Sequence, residues 1–153
     1  MNHTFNLGSY RRKAFRNKNY SNSSFKDMTF TLCTFVNCDF TGAEFHSNCL
    51  FNHCTFKNCK FDRCTAVGSL SFCGSTFKRV TFQCANLNYT RLCHTICRNA
   101  DFSKVNFTNA IIASIDWRNT KLNDVVGLNF DLLNAICNPA NPTCGIWPNI
   151  FLY

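Results

Sequence analysis

Large apolar side chains recur in this sequence at an interval of five residues. A central series runs from Phe25 to Leu122, and a series of smaller residues lies two positions before it, from Ser23 to Thr120. The other three positions are mostly Asn, Asp, Thr, Ser, Lys and Arg. This interval matches neither the period of an α-helix nor that of a simple strand. It predicts a chain that turns a corner every five residues, with two side chains of each five pointing inwards.

Four such sides close into a square coil, and stacked coils pair their backbone groups at a spacing of about 4.8 Å. Because one coil cannot bury its own inward side chains, several must stack. The sequence therefore predicts an all-β, four-sided β-helix of about five coils over residues 23–126. The predicted columns of central residues are Phe25, Phe45, Ala66, Leu87 and Phe107 on face one; Phe30, Phe51, Phe72, Leu92 and Ile112 on face two; Phe35, Phe56, Phe77, Cys97 and Trp117 on face three; and Phe40, Phe61, Phe82, Phe102 and Leu122 on face four.

The interval slips by one residue at two places. One slip lies between Phe45 and Phe51, and the other lies between Ala66 and Phe72. Both fall at the corner from face one to face two, in adjacent coils. We therefore expect bulged corners around residues 46–48 and 67–69.

Several blocks resemble the pentapeptide-repeat family, whose pattern is a small residue, Asp or Asn, Leu or Phe, and two polar residues. Residues 85–89, 100–104 and 105–109 follow that pattern, and the match covers residues 23 to about 124. The frequent cysteine at the small position departs from the family pattern, but its volume is similar to that of the small residues usual there. The resemblance implies a right-handed β-helix. It also implies a binding role, because some members mimic DNA and protect type II topoisomerases from fluoroquinolones, and others are modules of bacterial effectors.

The two ends of the chain are less regular. Phe5 and Phe15 keep the interval, but Lys13 and Lys18 fall on the small inward position, where an unpaired charge is costly. Residues 1–22 are thus a basic cap or a degenerate coil. Residues 127–153 are expected to form a short helix over 129–136 and an apolar tail over 139–153. This tail caps the last coil or pairs with another copy, and the family resemblance implies a homodimer through the C-terminal end.

The twelve cysteines do not have the spacing of a metal or disulfide framework. They form no Cys-x-x-Cys motif, and the four histidines do not complete a zinc site. In a reducing cytosol they are expected to act as small buried hydrophobes. The sequence predicts no metal site, no cofactor and no catalytic residue: it has no phosphate-binding loop and no nucleophile beside a base. His53 and His94 adjoin cysteines, but neighbours in an extended segment point to opposite faces.

Charge is the remaining clue to a partner. The formal net charge is +8, and four cations follow the centres of face three: Lys57, Lys78, Arg98 and Arg118. Such a column is either a solvated face or a binding site for an acidic partner. The sequence has no run of 18 apolar residues and no apolar leader in its first 25 residues. We therefore expect no membrane span and a cytoplasmic protein, although a specialised secretion signal of an effector would escape this test.

These observations leave three functions open. The first is a non-enzymatic scaffold that binds a protein partner. The second is a topoisomerase-binding protein that confers fluoroquinolone protection, although a net charge of +8 is a poor mimic of DNA phosphate. The third is an anion or nucleic-acid binder that uses the four cations of face three.

Overall fold

The computed structural model describes residues 3–127 and the short strand at 130–131, and these residues contain strands, turns and no helix. Nearly all strands are three residues long, because the chain turns a corner after each one. The strands are β1 Thr4–Asn6, β2 Ser9–Arg11, β3 Ala14–Arg16, β4 Ser24–Lys26, β5 Thr29–Thr31, β6 Thr34–Val36, β7 Glu44–His46, β8 Asn48–Asn52, β9 Thr55–Lys57, β10 Thr65–Ala66, β11 Ser69–Ser71, β12 Thr76–Lys78, β13 Ile112–Ala113 and β14 Phe130–Asp131.

Strands of successive coils pair in parallel and form three four-stranded sheets. Their orders are β1-β4-β7-β10, β2-β5-β8-β11 and β3-β6-β9-β12. On face three, Phe56 lies opposite Phe35 in one coil and opposite Phe77 in the next. Single parallel bridges extend these ladders, for example from Thr76 to Ile96 and on to Asp116, and they form the whole fourth side. The predicted right-handed four-sided β-helix and its columns are confirmed.

The corners use a left-handed backbone at the position two residues after every described centre except Ala66, where Gly68 of the second bulge does not adopt it. Asn37 and Asn58 have φ angles of 53° and 52° at equivalent corners. Asparagine is enriched in this region among non-glycine residues. The polar part of the repeat is therefore selected by backbone geometry as well as by solvent.

Both phase slips lie where the sequence places them. Lys26 pairs with His46 at a separation of 20 residues, whereas Phe30 pairs with Phe51 at 21. In the next coil the separation returns to 20 at the bridge between Ser71 and Arg91. Because both extra residues are taken up at the same corner, the two bulges stack and leave the inward columns in register.

Stacked phenylalanine rings fill the interior. Phe40 and Phe61 are fully buried, their ring centroids lie 4.5 Å apart, and their planes differ by 4°. Across one corner, Phe56 meets Phe61 edge to face at 5.3 Å. Most interior rings thus stack along a column and make edge contacts with rings of adjacent faces, and both geometries are favourable.

Residues 3–22 form a coil beneath the rest of the column. Phe5 pairs with Phe25 and Phe15 with Phe35, in the same register as the coils above. Lys13 and Lys18 are exposed, because no described residue packs below this coil. Inward-pointing charges on an open sheet edge are a recognised protection against edge-to-edge association.

We expect the double variant Lys13→Ala/Lys18→Ala to self-associate, because removing both charges leaves an apolar ring and free backbone groups at this end. Sedimentation velocity should show a larger weight-average mass than that of Lys26→Ala/Lys60→Ala, which removes two exposed lysines from the sides. Equal masses for the two variants would contradict the protective role.

The structure corrects the prediction at the C-terminal end. Phe130 and Asp131 belong to a strand that pairs with Ile112 and Ala113, not to the start of a helix. Phe130 lies 18 residues after Ile112, so the ladder continues here with a shifted register. The open edge of the last coil offers hydrogen bonds that a short, costly helix nucleus does not. The rest of the predicted helix and the apolar tail lie outside the described residues.

Candidate binding face

The small inward positions are polar columns as well as spacers. Cys54 is buried and its Sγ lies 3.4 Å from the carbonyl oxygen of Phe30, one coil below. Ser75 and Thr120 donate hydroxyl hydrogen bonds of 2.6 Å to carbonyls of the coil below in the same manner. Burial raises the pKa of Cys54 to about 12, so its thiol stays protonated at neutral pH. The inward cysteines are thus structural, as predicted from their spacing.

The predicted cationic column lies on one flat side. Lys57 and Lys78 pair directly across β9 and β12, and Arg98 follows in the next coil. All three side chains are exposed. They line a shallow depression of about 700 Å³, together with Arg79 and the partly exposed Ile96.

Arg118 and Arg98 differ from the two lysines because both arginines pair with Asp116. Arg118 donates from Nη2 to a carboxylate oxygen of Asp116 at 2.7 Å and from Nε to the other oxygen at 2.9 Å. Arg98 donates to the same carboxylate, which is buried. Asp116 therefore neutralises the upper end of the column and does not touch Lys57 or Lys78.

Arg79 joins this face although the sequence analysis did not select it. A ladder of corner asparagines runs from Asn17 to Asn37 and Asn58, with side-chain hydrogen bonds of 3.0 Å at each step. Arg79 ends the ladder by donating from Nε to Oδ1 of Asn58 at 2.8 Å. The position of Arg79 in the repeat could have indicated its place on this face, because Arg79 immediately follows Lys78 and occupies the corner site above Asn58.

Matches to family models show which protein family the chain belongs to. Two models described as pentapeptide repeats match residues 40–91 and 85–124, which together cover more than half of the sequence. The chain belongs to the pentapeptide-repeat family.

Two solved structures of pentapeptide-repeat proteins are similar to this one. One is QnrB1, a plasmid-mediated fluoroquinolone resistance protein, with 14% identity, coverage of 90% of this chain and 91% of that one, and a TM-score of 0.40. The other is HetL, involved in the regulation of heterocyst differentiation in the cyanobacterium Nostoc, with 11% identity, coverage of 89% and 72%, and a TM-score of 0.29. No curated protein matches the sequence.

Several acidic residues of this pentapeptide-repeat protein have local partners. Asp116 is held by two arginines, and Glu44 contacts His46 at 3.0 Å. Burial opposes ionisation of Asp101, but hydrogen bonds from Ser103 and Gln83, with nearby Lys121, leave its pKa below the ordinary value. The carboxylates of Glu44, Asp101 and Asp116 thus each have a local partner.

Residues 3–127 make up most of the part of the chain that the structure describes. This stretch contains no group of three side chains suited to hold a metal ion. It also contains no helix long and apolar enough to cross a bilayer. The basic side is our candidate for recognition because its depression combines exposed cations with the exposed side chain of Ile96.

Proposed function

We propose that this pentapeptide-repeat protein is a non-enzymatic binding module that presents a basic face to an acidic protein partner. We define the basic face as Lys57, Lys78, Arg79 and Arg98. The observation that carries the proposal is the direct stacking of Lys57 on Lys78, with no ion pair to either from any residue that the structure describes.

Stacked like charges work against folding. Opposed like charges on neighbouring strands destabilise a sheet by roughly 0.2–1 kcal/mol. A partner that carries carboxylates removes this repulsion, and complementary charge also speeds encounter. The rigid spacing of the coils holds the cations about 4.8 Å apart and so presents a preformed row.

A protein partner fits this face better than a nucleic acid. Ile96 is 40% exposed and lines the same depression as the cations. Protein interfaces combine apolar contacts with charged rims, whereas contacts to a phosphate backbone are mainly electrostatic. A DNA mimic that protects topoisomerase is not favoured, because the net charge is +8 and the carboxylates of Glu44, Asp101 and Asp116 are engaged locally.

The test reverses the charge of the face and compares it with an equal change elsewhere. We expect Lys57→Glu/Lys78→Glu/Arg79→Glu to bind a poly-glutamate peptide roughly 10–100-fold more weakly than the wild type, since each lost contact contributes about 0.5–1 kcal/mol. The control is Lys26→Glu/Lys60→Glu/Arg63→Glu, which changes the net charge equally at exposed positions outside the face. Isothermal titration calorimetry at two salt concentrations gives both affinities.

Equal weakening by the two triple variants would reject the face, because net charge alone would then explain binding. A parallel titration with double-stranded DNA tests the alternative that the partner of the basic face is a nucleic acid. Tighter binding to DNA than to poly-glutamate, lost in the face variant, would replace the protein partner with a nucleic acid.

A further inference from the structure

Cys73 and Cys93 occupy the same outward position on neighbouring coils. Each directly follows a face-two centre, Phe72 or Leu92. The bridge between Ser71 and Arg91 fixes their register, and the amide of Gly74 donates to the carbonyl of Cys93 at 2.9 Å. In-register residues of adjacent strands lie about 4.8 Å apart. The two side chains therefore project from equivalent positions of adjacent coils and lie one above the other.

Among the described cysteines, Cys73 and Cys93 combine solvent access with a cysteine at the same position of the adjacent coil. Cys33 and Cys54 also stack in successive coils, but they are buried in the interior. Cys84 is exposed, but its corner neighbours in the coils below and above are Arg63 and Lys104. Cys73 and Cys93 are both partly exposed.

The spacing suits a covalent bond. Disulfides join cysteines whose Cα atoms are about 4.4–6.8 Å apart, and adjacent strands in register fall within that range. We propose that Cys73 and Cys93 form a redox-active dithiol that closes to a disulfide by exchange with a small disulfide of the glutathione class.

The exchange has two balanced steps. The thiolate of one cysteine attacks oxidised glutathione, forms a mixed disulfide and releases one glutathione thiolate. The thiolate of the second cysteine then attacks the protein sulfur of that mixed disulfide and releases the second glutathione. The two protons lost by the protein thiols are taken up by the two glutathione thiolates, so the protein is oxidised by two electrons and the glutathione disulfide is reduced.

The disulfide would add a covalent link between two coils of face two. Backbone hydrogen bonds already join these coils, from the amide of Arg91 to the carbonyl of Leu70 and from the amide of Phe72 to the carbonyl of Arg91, both at 2.9 Å. The bond joins the coil that carries Lys78 to the coil that carries Arg98. It lies on face two, whereas both cations lie on the adjacent face three. Closing a loop of this length constrains the unfolded chain. We expect the unfolding midpoint to rise by about 5–10 °C.

The test treats the folded full-length protein with excess oxidised glutathione at mildly alkaline pH. This pH is chosen because burial, with the neighbouring Cys73, raises the pKa of Cys93. Peptide mapping without reductant should find Cys73 joined to Cys93, and intact mass should show two hydrogens lost at this pair without a glutathione adduct there. The bond should open with dithiothreitol, and the midpoint should return to that of the reduced protein.

Three variants identify the pair. Cys93→Ser should keep glutathione on Cys73, since the resolving thiol is gone. Cys73→Ser/Cys93→Ser should fold, because Thr31 and Ala113 occupy the same column, and its midpoint should not respond to oxidation. Cys84→Ser should form the bond as the wild type does. Stable glutathione adducts at Cys73 or Cys93 in the wild type, the absence of any reaction there, or a bond from either to another cysteine would overturn the proposal.

Discussion

Replacing Phe61 by alanine is expected to lower the free energy of unfolding by about 3–5 kcal/mol. The Phe61 ring is fully buried between Phe40, at 4.5 Å, and Phe82, at 4.8 Å. It also meets Phe56 and Phe72 edge to face, at 5.3 and 5.6 Å. Coils fixed above and below by backbone hydrogen bonds cannot collapse into the space that the ring leaves. The loss is a large share of the roughly 5–15 kcal/mol that holds a typical domain together.

The matched control is Phe5→Ala in the first coil. Phe5 is only partly buried and stacks on a single ring along its column, Phe25, at 4.9 Å. Its removal creates a notch at the end of the column, which water can enter, and should destabilise the protein by clearly less than Phe61→Ala. Urea unfolding followed by circular dichroism compares the midpoints. Equal small shifts for both variants would contradict a tightly packed ring ladder.

Gly68→Ala is expected to destabilise the protein by about 3 kcal/mol or more, at the upper end of overpacking effects. An added Cβ would lie 2.5 Å from both the amide nitrogen and the carbonyl oxygen of Ser47. Ser47 and Gly68 belong to the two stacked bulges, and the amides of Val67 and Gly68 both donate to the carbonyl of Phe45. The backbone at this corner therefore cannot move apart without losing hydrogen bonds between coils.

Gly8→Ala provides the control for added volume. A Cβ at Gly8 would approach Cε of Met28 at 2.7 Å, which is the mobile end of a flexible side chain. Met28 can move aside, so the expected change is below about 1 kcal/mol. Thermal unfolding of both variants measures the difference. A Gly68→Ala protein as stable as Gly8→Ala would show that the stacked bulges are looser than the structure indicates.

On the cationic side, the sequence predicted the positions of the lysines but not the contacts of the arginines. Lys57 and Lys78 were placed correctly, since both follow centres of the same column. Asp116 and Arg98 are 18 residues apart, and their ion pair depends on how the coils stack. Arg79 joins the face because its side chain is directed by the asparagine below it, which a linear pattern does not reveal.

The sequence alone determined the coil, its columns and the corner that holds both slips. It did so because the five-residue interval is set by side-chain volume at two positions, and volume is visible residue by residue. The tertiary structure alone decided the strand at Phe130 and the hydrogen bonds from inward Cys, Ser and Thr to carbonyls one coil below. Each of these depends on which backbone groups or side chains the neighbouring coil offers at a distance of about 4.8 Å, and that pairing exists only once the coils have stacked.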